Sequence, residues 1–252
     1  MIGFTPGDVM AWCLFAGATA CSRLFCSSGF AQAACNSVLV VYAYPFSFNG
    51  EDVQATLLGT GAFTTVGTFN AYYDTPTASQ LAAYHAVLVY SWDGLRNATL
   101  LGDRLADYHD QGGGVVVAWA ANMHLKGAYG AAGNGYALLD YAAGSMIDSS
   151  DTLGDVLEPG SPLLTGVTSL GASNAFRSSA LVISGRGFVV ARWGGGLPLV
   201  VRGLRGNRTL VELNLWPPNC VSGGGAALIL NALKYSRCML CGPGTFSFTG
   251  EA

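Results

Sequence analysis

The fold of this chain is decided by residues 85–122, HAVLVYSWDGLRNATLLGDRLADYHDQGGGVVVAWAAN, which predict a strand, a helix and a second strand. The runs HAVLVYSW and GVVVAWAAN are continuous and apolar, as expected for strands of a parallel sheet that is covered on both faces. Between them, Asn97 can cap a helix that three glycines end, and the apolar face of this helix consists of Leu100, Leu101, Leu105 and Tyr108. This order and spacing predict a right-handed βαβ unit.

The same alternation of strands and helices extends towards the N-terminus. Residues 37–44, SVLVVYAY, form a continuous apolar run rich in β-branched side chains and predict another central strand. A helix is predicted over residues 51–62, a second strand over 64–71, and a short helix with Pro76 at its start over 75–84. Two further strand–helix pairs therefore precede the βαβ unit.

Towards the C-terminus the alternation stops and then returns. Residues 123–186 are rich in Gly, Ser and Ala and have weak periodicity. Two short apolar runs around a GGGL turn, residues 187–193 and 198–203, predict a β-hairpin, and residues 208–216 and 223–236 predict the last strand and the last helix. The sequence therefore predicts a three-layer α/β fold, with a mostly parallel sheet, helices on both faces and a late antiparallel hairpin.

The composition excludes some classes of partner. Only 11% of the residues are charged, the net charge is −3, and Lys and Arg form no cluster. Nucleic-acid binding depends on basic side chains that neutralise phosphates, so we expect no nucleic-acid partner. The sequence also has no run of 18 apolar residues, so no membrane span is predicted in it.

The cysteines favour an oxidising compartment. All seven lie near the two ends of the sequence, whereas a protein with reduced cysteines would have them throughout its core. Residues 9–21 have the length of a signal-peptide apolar region and contain an A-x-A pattern, although a basic segment is missing. We interpret residues 1–36 as a signal-like segment or another N-terminal extension, and we expect a secreted or cell-surface protein.

Several phrases within residues 37–236 resemble a known α/β family. They are DYHDQGGGVVVA, SPLLTGVTSL, RWGGGLPLVVR and LNLWPPN, and they are similar to phrases of uncharacterised secreted proteins that carry this domain. The order of the elements resembles the flavodoxin-like domain of class I glutamine amidotransferases and of related ThuA-like proteins. The resemblance implies that fold for residues 37–236, but it implies no function, because one fold supports many activities.

The amidotransferase family has a Cys nucleophile at the turn after a central strand, and a His after a late strand is the base. At the turn this sequence has Trp119, Ala120, Ala121 and Asn122, and at the position of the His it has Trp216. A thiol mechanism requires both groups within hydrogen-bond reach of each other. The resemblance therefore implies an amidotransferase-like fold without its catalytic residues, and we expect neither enzyme activity nor a cofactor.

The tail of the sequence, residues 237–252, carries a second resemblance. The stretch CMLCGPGTFSFTGEA is similar to the opening of an ephrin-receptor-like cysteine-rich repeat. Such repeats are extracellular and disulfide-bonded, which again implies a protein of the cell exterior. A C-x2-C pair also fits half of a zinc site, but the sequence contains no second half, so we expect no metal.

Two covalent modifications fit an extracellular protein. In this fold the first strand starts and the last helix ends at the same edge of the sheet, so we expect a disulfide between Cys35 and Cys238. The rival is a local bridge between Cys238 and Cys241. The sequons NAT and NRT make Asn97 and Asn207 candidate N-glycosylation sites, although Asn97 is also placed to cap a helix.

A set of residues at the carboxyl edge of the sheet supports an alternative function. Asp93 follows the third strand, Asn122 and His124 follow the fourth, and Trp216 follows the last one. Folds of this class bind ligands at that edge, so these residues are candidates for binding or hydrolysing a sugar or a small polar molecule. Each also has a structural interpretation, since loops are polar and aromatic residues fill cores. The other histidines, including His109 in a solvated helix turn, are expected to be structural.

The leading interpretation is a non-catalytic interaction or structural module of the cell exterior, whose partners are other extracellular protein chains or glycans. The alternative is the ligand-binding protein or hydrolase just described. A concave pocket with converging polar groups at the carboxyl edge would favour the alternative. An edge that is filled by side chains would favour the module.

Overall fold

The computed structural model describes residues 36–130, 134–141, 146–172, 175–179, 181–220 and 223–238. Their main element is a nine-stranded sheet, and one half of it consists of parallel strands. These are β1 (Ser37–Ala43), β2 (Thr65–Asn70), β3 (Ala86–Ser91), β4 (Gly114–Ala118) and β13 (Arg208–Leu213), and they lie in the order β2-β1-β3-β4-β13. Counting β13 as the fifth strand, this is the 2-1-3-4-5 order of flavodoxin-like folds.

The other half of the sheet is antiparallel. It continues from β13 through β12 (Pro198–Arg205), β11 (Gly187–Trp193), β7 (Asp151–Val156) and β8 (Gly171–Ala172). The predicted hairpin is therefore confirmed as β11 and β12, and the sheet extends beyond it. Two small antiparallel pairs lie outside the main sheet: β5 (Leu139–Tyr141) with β10 (Leu181–Ile183), and β6 (Met146–Ile147) with β9 (Arg177–Ser178).

Helices cover both faces of the parallel half. Val38 and Val40 of β1 belong to one apolar core, which α1 (Phe48–Gly59) and α6 (Gly223–Cys238) complete. Leu39 and Val41 belong to the opposite core, completed by α2 (Ala78–Ala82), α3 (Ala98–Asp110), α4 (Ala121–His124) and α5 (Gly127–Gly130). Successive side chains of a strand point to opposite faces, so β1 contributes to both cores. The predicted three-layer α/β architecture is confirmed.

The third helix shows one correct and two incorrect expectations. The side chain of Asn97 accepts a hydrogen bond from the N–H of Leu100 at 3.0 Å, so Asn97 is the predicted cap. Leu100 itself is 36% exposed rather than part of the apolar face. His109 is 1% exposed rather than solvated, because it faces β13, where its Nε2 donates to the carbonyl of Thr209 at 3.2 Å.

The start of β1 and the end of α6 lie at the same edge of the sheet. Because Gly114 has no side chain, the last turn of α6 packs directly against the start of β4. The N–H of Gly114 donates to the carbonyl of His85, and the N–H of His85 donates to the carbonyl of Ser37. Cys238 is the last residue of α6, whereas Cys35 lies outside the described residues, so the predicted disulfide stays a prediction.

Other expectations concern residues that the structure describes only in part. None of the helices in the described ranges has both the length and the apolar character that crossing a membrane requires. Within the same ranges, no group of three or more metal-binding side chains converges. Residues 1–35 and 239–252, including most of the cysteine-rich tail, lie outside the described part of the chain.

Candidate functional site

The carboxyl edge of the parallel strands is the expected position of a site in this fold. The turn after β4 is buried there, with Trp119 and Ala120 only 4% and 3% exposed and joined by a cis peptide bond. The N–H of Trp119 donates to the carbonyls of Leu213 and Leu215, and the N–H of Ala120 donates to the carbonyl of Ser91. Backbone hydrogen bonds to β3 and to the end of β13 therefore fix this turn, and its residues include no nucleophile.

Four aromatic rings fill the space beside this turn, and we call them the aromatic cluster: Trp92, Trp119, Phe176 and Trp216. Trp216 is 3% exposed, and its ring centroid lies 5.5 Å from that of Trp92 and 6.0 Å from that of Trp119. Phe176 lies 4.7 Å from Trp92 and stacks on Trp119 at 6.1 Å. Edge-to-face and offset stacked arrangements at these distances are the favourable geometries of aromatic pairs. The space beside the turn after β4 is therefore packed with side chains.

The motif LNLWPPN holds a distant segment of the chain in place. The side chain of the buried Asn214 accepts from the N–H of Ser178 at 2.8 Å and donates to the carbonyls of Ser178 and Pro198. The indole N–H of Trp193 donates to the carbonyl of Asn214, and the N–H of Trp216 donates to the carbonyl of Phe176. These hydrogen bonds hold residues 176–178 against the sheet and place Phe176 in the aromatic cluster.

Glu212 of β13 has a similar structural role. It is fully buried, and its carboxylate accepts hydrogen bonds from the N–H groups of Leu138 and Leu139 at 2.8 and 3.1 Å. A buried carboxylate requires such donors, since burying an unpaired charge is costly. The sequence reasoning missed both Glu212 and Asn214. The available signal was their alternation with apolar residues in VELNLW, which places two polar side chains in a buried strand and its continuation.

One polar pair does lie at the carboxyl edge. The hydroxyl of Ser91, at the end of β3, lies 2.8 Å from Nδ1 of His124 at the end of α4. Burial lowers the pKa of His124, and the nearby carboxylate of Asp93 opposes that shift. The imidazole is therefore neutral at pH 7, so Nδ1 can accept the Ser91 proton. Ser91 was not predicted, because 33 residues separate it from His124 in the sequence.

The structure brings together only part of the predicted ligand-binding set. His124 and the half-buried Asp93 lie close enough to interact electrostatically. Asn122 belongs to α4, and its side chain lies outside the described part of the structure. Trp216 is buried in the aromatic cluster and exposes little of its indole to a ligand.

Comparisons with known proteins show the class of fold. No family model and no curated protein sequence matches the chain. Among solved structures, a ThuA-like protein of Bacteroides uniformis is similar with a TM-score of 0.50 and 14% identity, covering 83% of this chain and 94% of that protein. At that identity the similarity shows the fold alone. Together with the strand order, it shows a flavodoxin-like α/β fold like that of the ThuA-like protein.

Two further solved structures are similar at lower coverage or score. The exo-beta-1,4-mannosidase Op5Man5 of an Opitutaceae bacterium has a TM-score of 0.50 and 11% identity. The match covers 77% of this chain and 35% of that enzyme. A glutamine amidotransferase of Thermotoga maritima has a TM-score of 0.48 and 8% identity, covering 73% of this chain and 76% of that protein.

Proposed function

We propose that this chain is a non-catalytic interaction or structural module with an amidotransferase-like fold. The observation that carries the proposal is the aromatic cluster, which fills the space beside the turn after β4, where the resemblance implies a Cys–His pair. Trp216, at the position of the base, is buried, and its indole nitrogen is a donor only, so it cannot accept a proton. The sequence supports the proposal independently, because the turn after β4 contains neither Cys nor Ser.

We further propose that the module works outside the cell. The cysteines near both ends of the sequence support this location. The two sequon asparagines are exposed: Asn207 lies in the turn between β12 and β13, and Asn97 lies at the start of α3. Asn207 is the better acceptor, because the side chain of Asn97 caps α3.

The Ser91–His124 pair supports a second candidate function, a hydrolase or a protein that binds a small polar ligand. A serine whose hydroxyl lies 2.8 Å from a neutral His has the geometry of an activated nucleophile. However, Ser91 is fully buried, so a substrate cannot reach its hydroxyl without local opening of the structure. The burial of Ser91 is the reason to prefer the non-catalytic module.

A labelling experiment distinguishes the two functions. The purified protein is incubated with a fluorophosphonate probe, which reacts with activated serines, and labelled residues are identified by mass spectrometry. We expect no labelling of Ser91, and we expect the same result for the matched variant His124→Ala. Stoichiometric labelling of Ser91 that disappears in His124→Ala would show a catalytic pair and contradict the proposal.

The location is tested by expressing the chain with its own residues 1–36 in cultured eukaryotic cells. We expect the protein in the medium, with a mass that decreases after treatment with an N-glycosidase. The variant Asn207→Gln should lose most of that decrease. Retention of an unglycosylated protein inside the cells would contradict the proposed location.

A further inference from the structure

The loops that follow β1 and β2, together with the first residue of α1, carry a group of aromatic residues, which we call the aromatic platform: Tyr44, Phe46, Phe48, Tyr72 and Tyr73. Phe46 and Phe48 are 57% and 52% exposed, and their rings stack with 5.9 Å between centroids and 15° between planes. Tyr73 is 62% exposed and contacts the ring of Tyr72 at 4.9 Å. Clustered exposed aromatic side chains on a folded protein mark an interaction surface.

Contacts between the two loops make the platform a preformed surface. The hydroxyl of Tyr73 donates to the carbonyl of Pro45 at 2.8 Å, and the side-chain amide of Asn70 donates to the carbonyl of Tyr44 at 2.7 Å. The ring of Tyr44 in turn contacts Phe46 and Phe48 at 5.6 and 6.0 Å. Because these rings are already ordered, a ligand would lose little affinity to ordering them.

A polar groove, which we call the arginine groove, begins at Asp74, the residue that follows Tyr73 of the platform. It has a volume of about 570 Å³ and is lined by Asp74, Thr75, Thr77, Arg96, Asn97, Leu100 and Arg104. Sites for small ligands have volumes in this range. Arg104 donates from Nη1 to the carbonyls of Thr75 and Pro76, which holds its guanidinium at the groove, and the side chain of Arg96 is exposed. Two guanidinium groups and one carboxylate give the groove a net positive charge.

We propose that the aromatic platform and the arginine groove together bind a glycan that carries carboxylate groups. This inference rests on the proposed function and names the partner of the module. One face of a sugar ring consists of C–H groups, which pack on the electron-rich faces of aromatic rings. The carboxylate of an acidic sugar matches the planar fork of an Arg guanidinium. Thr, Asn and Asp side chains supply hydrogen-bond partners for the hydroxyl groups.

The charges around the site orient this ligand. Glu51 and Asp52 follow Phe48 on α1, so a carboxylate would be repelled at that end of the platform. The carboxylate therefore binds in the arginine groove, and the neutral face of another sugar unit of the same glycan packs on the aromatic platform. A concave groove with a positive charge suits one acidic sugar unit. It suits a protein partner less well, because a stable protein–protein interface buries about 800 Å² on each partner.

The test uses protein made in bacteria, so that Asn97, which lines the groove, carries no glycan. The protein is applied to an array of oligogalacturonates, oligomannuronates and sialylated oligosaccharides, each beside its carboxyl-reduced or desialylated counterpart. Affinity for the strongest ligand is then measured by titration calorimetry. We expect binding only to carboxylated glycans, and we expect Arg96→Met and Phe46→Ala each to weaken it about tenfold or more. Lys234→Met, which removes an exposed positive charge on α6, should leave the affinity unchanged.

Three outcomes would overturn this inference: no carboxylated glycan binds, the neutral counterparts bind equally well, or Lys234→Met weakens binding as much as Arg96→Met. The proposed function has its own readout in the labelling of Ser91. Absence of glycan binding with Ser91 unlabelled would remove only the glycan as partner. Labelling of Ser91 would remove the non-catalytic module whatever the array shows.

Discussion

Replacing Trp216 by Ala tests whether the residue at the position of the catalytic base serves packing. Trp216 is 3% exposed and contacts the rings of Tyr90, Trp92 and Trp119 at 5.1, 5.5 and 6.0 Å. Truncation of a buried Trp to Ala typically costs about 3–5 kcal/mol, because transfer free energy is lost and a cavity remains. Three aromatic partners place the expected loss in the free energy of unfolding in the upper half of that range.

The assay is urea unfolding of the purified protein, followed by far-UV circular dichroism. A loss of about 4 kcal/mol is a large share of the 5–15 kcal/mol that stabilises a typical domain, so the midpoint should fall clearly. Phe46→Ala is the matched control, because Phe46 is also aromatic but mostly exposed, and it should cost less than about 1 kcal/mol. If Trp216→Ala cost no more than the control, Trp216 would not be a packing residue and the aromatic cluster would lose its proposed role.

Three other predictions concern stability and covalent structure. Asn214→Leu should lower the free energy of unfolding by about 1–3 kcal/mol, because its buried hydrogen bonds to Ser178 and Pro198 are lost; unchanged urea unfolding would show that this segment is held otherwise. Burial lowers the pKa of His109 in the folded protein. Below about pH 6.5 the unfolded chain therefore binds more protons than the folded protein does. The free energy of unfolding should be intact above that pH and fall as the pH drops towards the lowered pKa. Unfolding of His109→Gln measured against pH should show a shallower decrease, and an equally steep one would contradict this cause. Peptide mapping without reduction should link Cys35 to Cys238, and a linkage of Cys238 to Cys241 instead would favour the rival pairing.

The sequence predicted the parallel half of the sheet well, for a clear physical reason. The apolar runs of β1, β3 and β4 are continuous, and only strands buried on both faces require such runs. The antiparallel edge was not predicted, because β7, DTLGDV, is half exposed, has no clear alternation and contains a Gly. Pairing with β11 makes this segment a strand, and sequence periodicity does not report such long-range pairing.

The candidate site was predicted less completely than the fold. The lack of Cys and Ser in the turn after β4, and the presence of Trp at position 216, were visible in the sequence, because each concerns the identity of single residues. Contacts between residues distant in the sequence were not visible. The hydrogen bond between Ser91 and His124, for example, spans 33 positions. Phe46 and Phe48 were missed because an apolar residue in a sequence is normally assigned to the core, and only the structure shows that both are exposed.

Glutamine hydrolysis is the reaction that would most directly reveal a functional amidotransferase site in this fold. Glutamate release from saturating glutamine is measured for the purified, folded protein and for the variant His124→Ala. Because the turn at Trp119 and Ala120 contains no nucleophile and the buried Trp216 cannot accept a proton, we expect no release above the blank for either protein. Turnover by the unmodified protein that His124→Ala abolishes would show a working site at the carboxyl edge and would contradict a non-catalytic module.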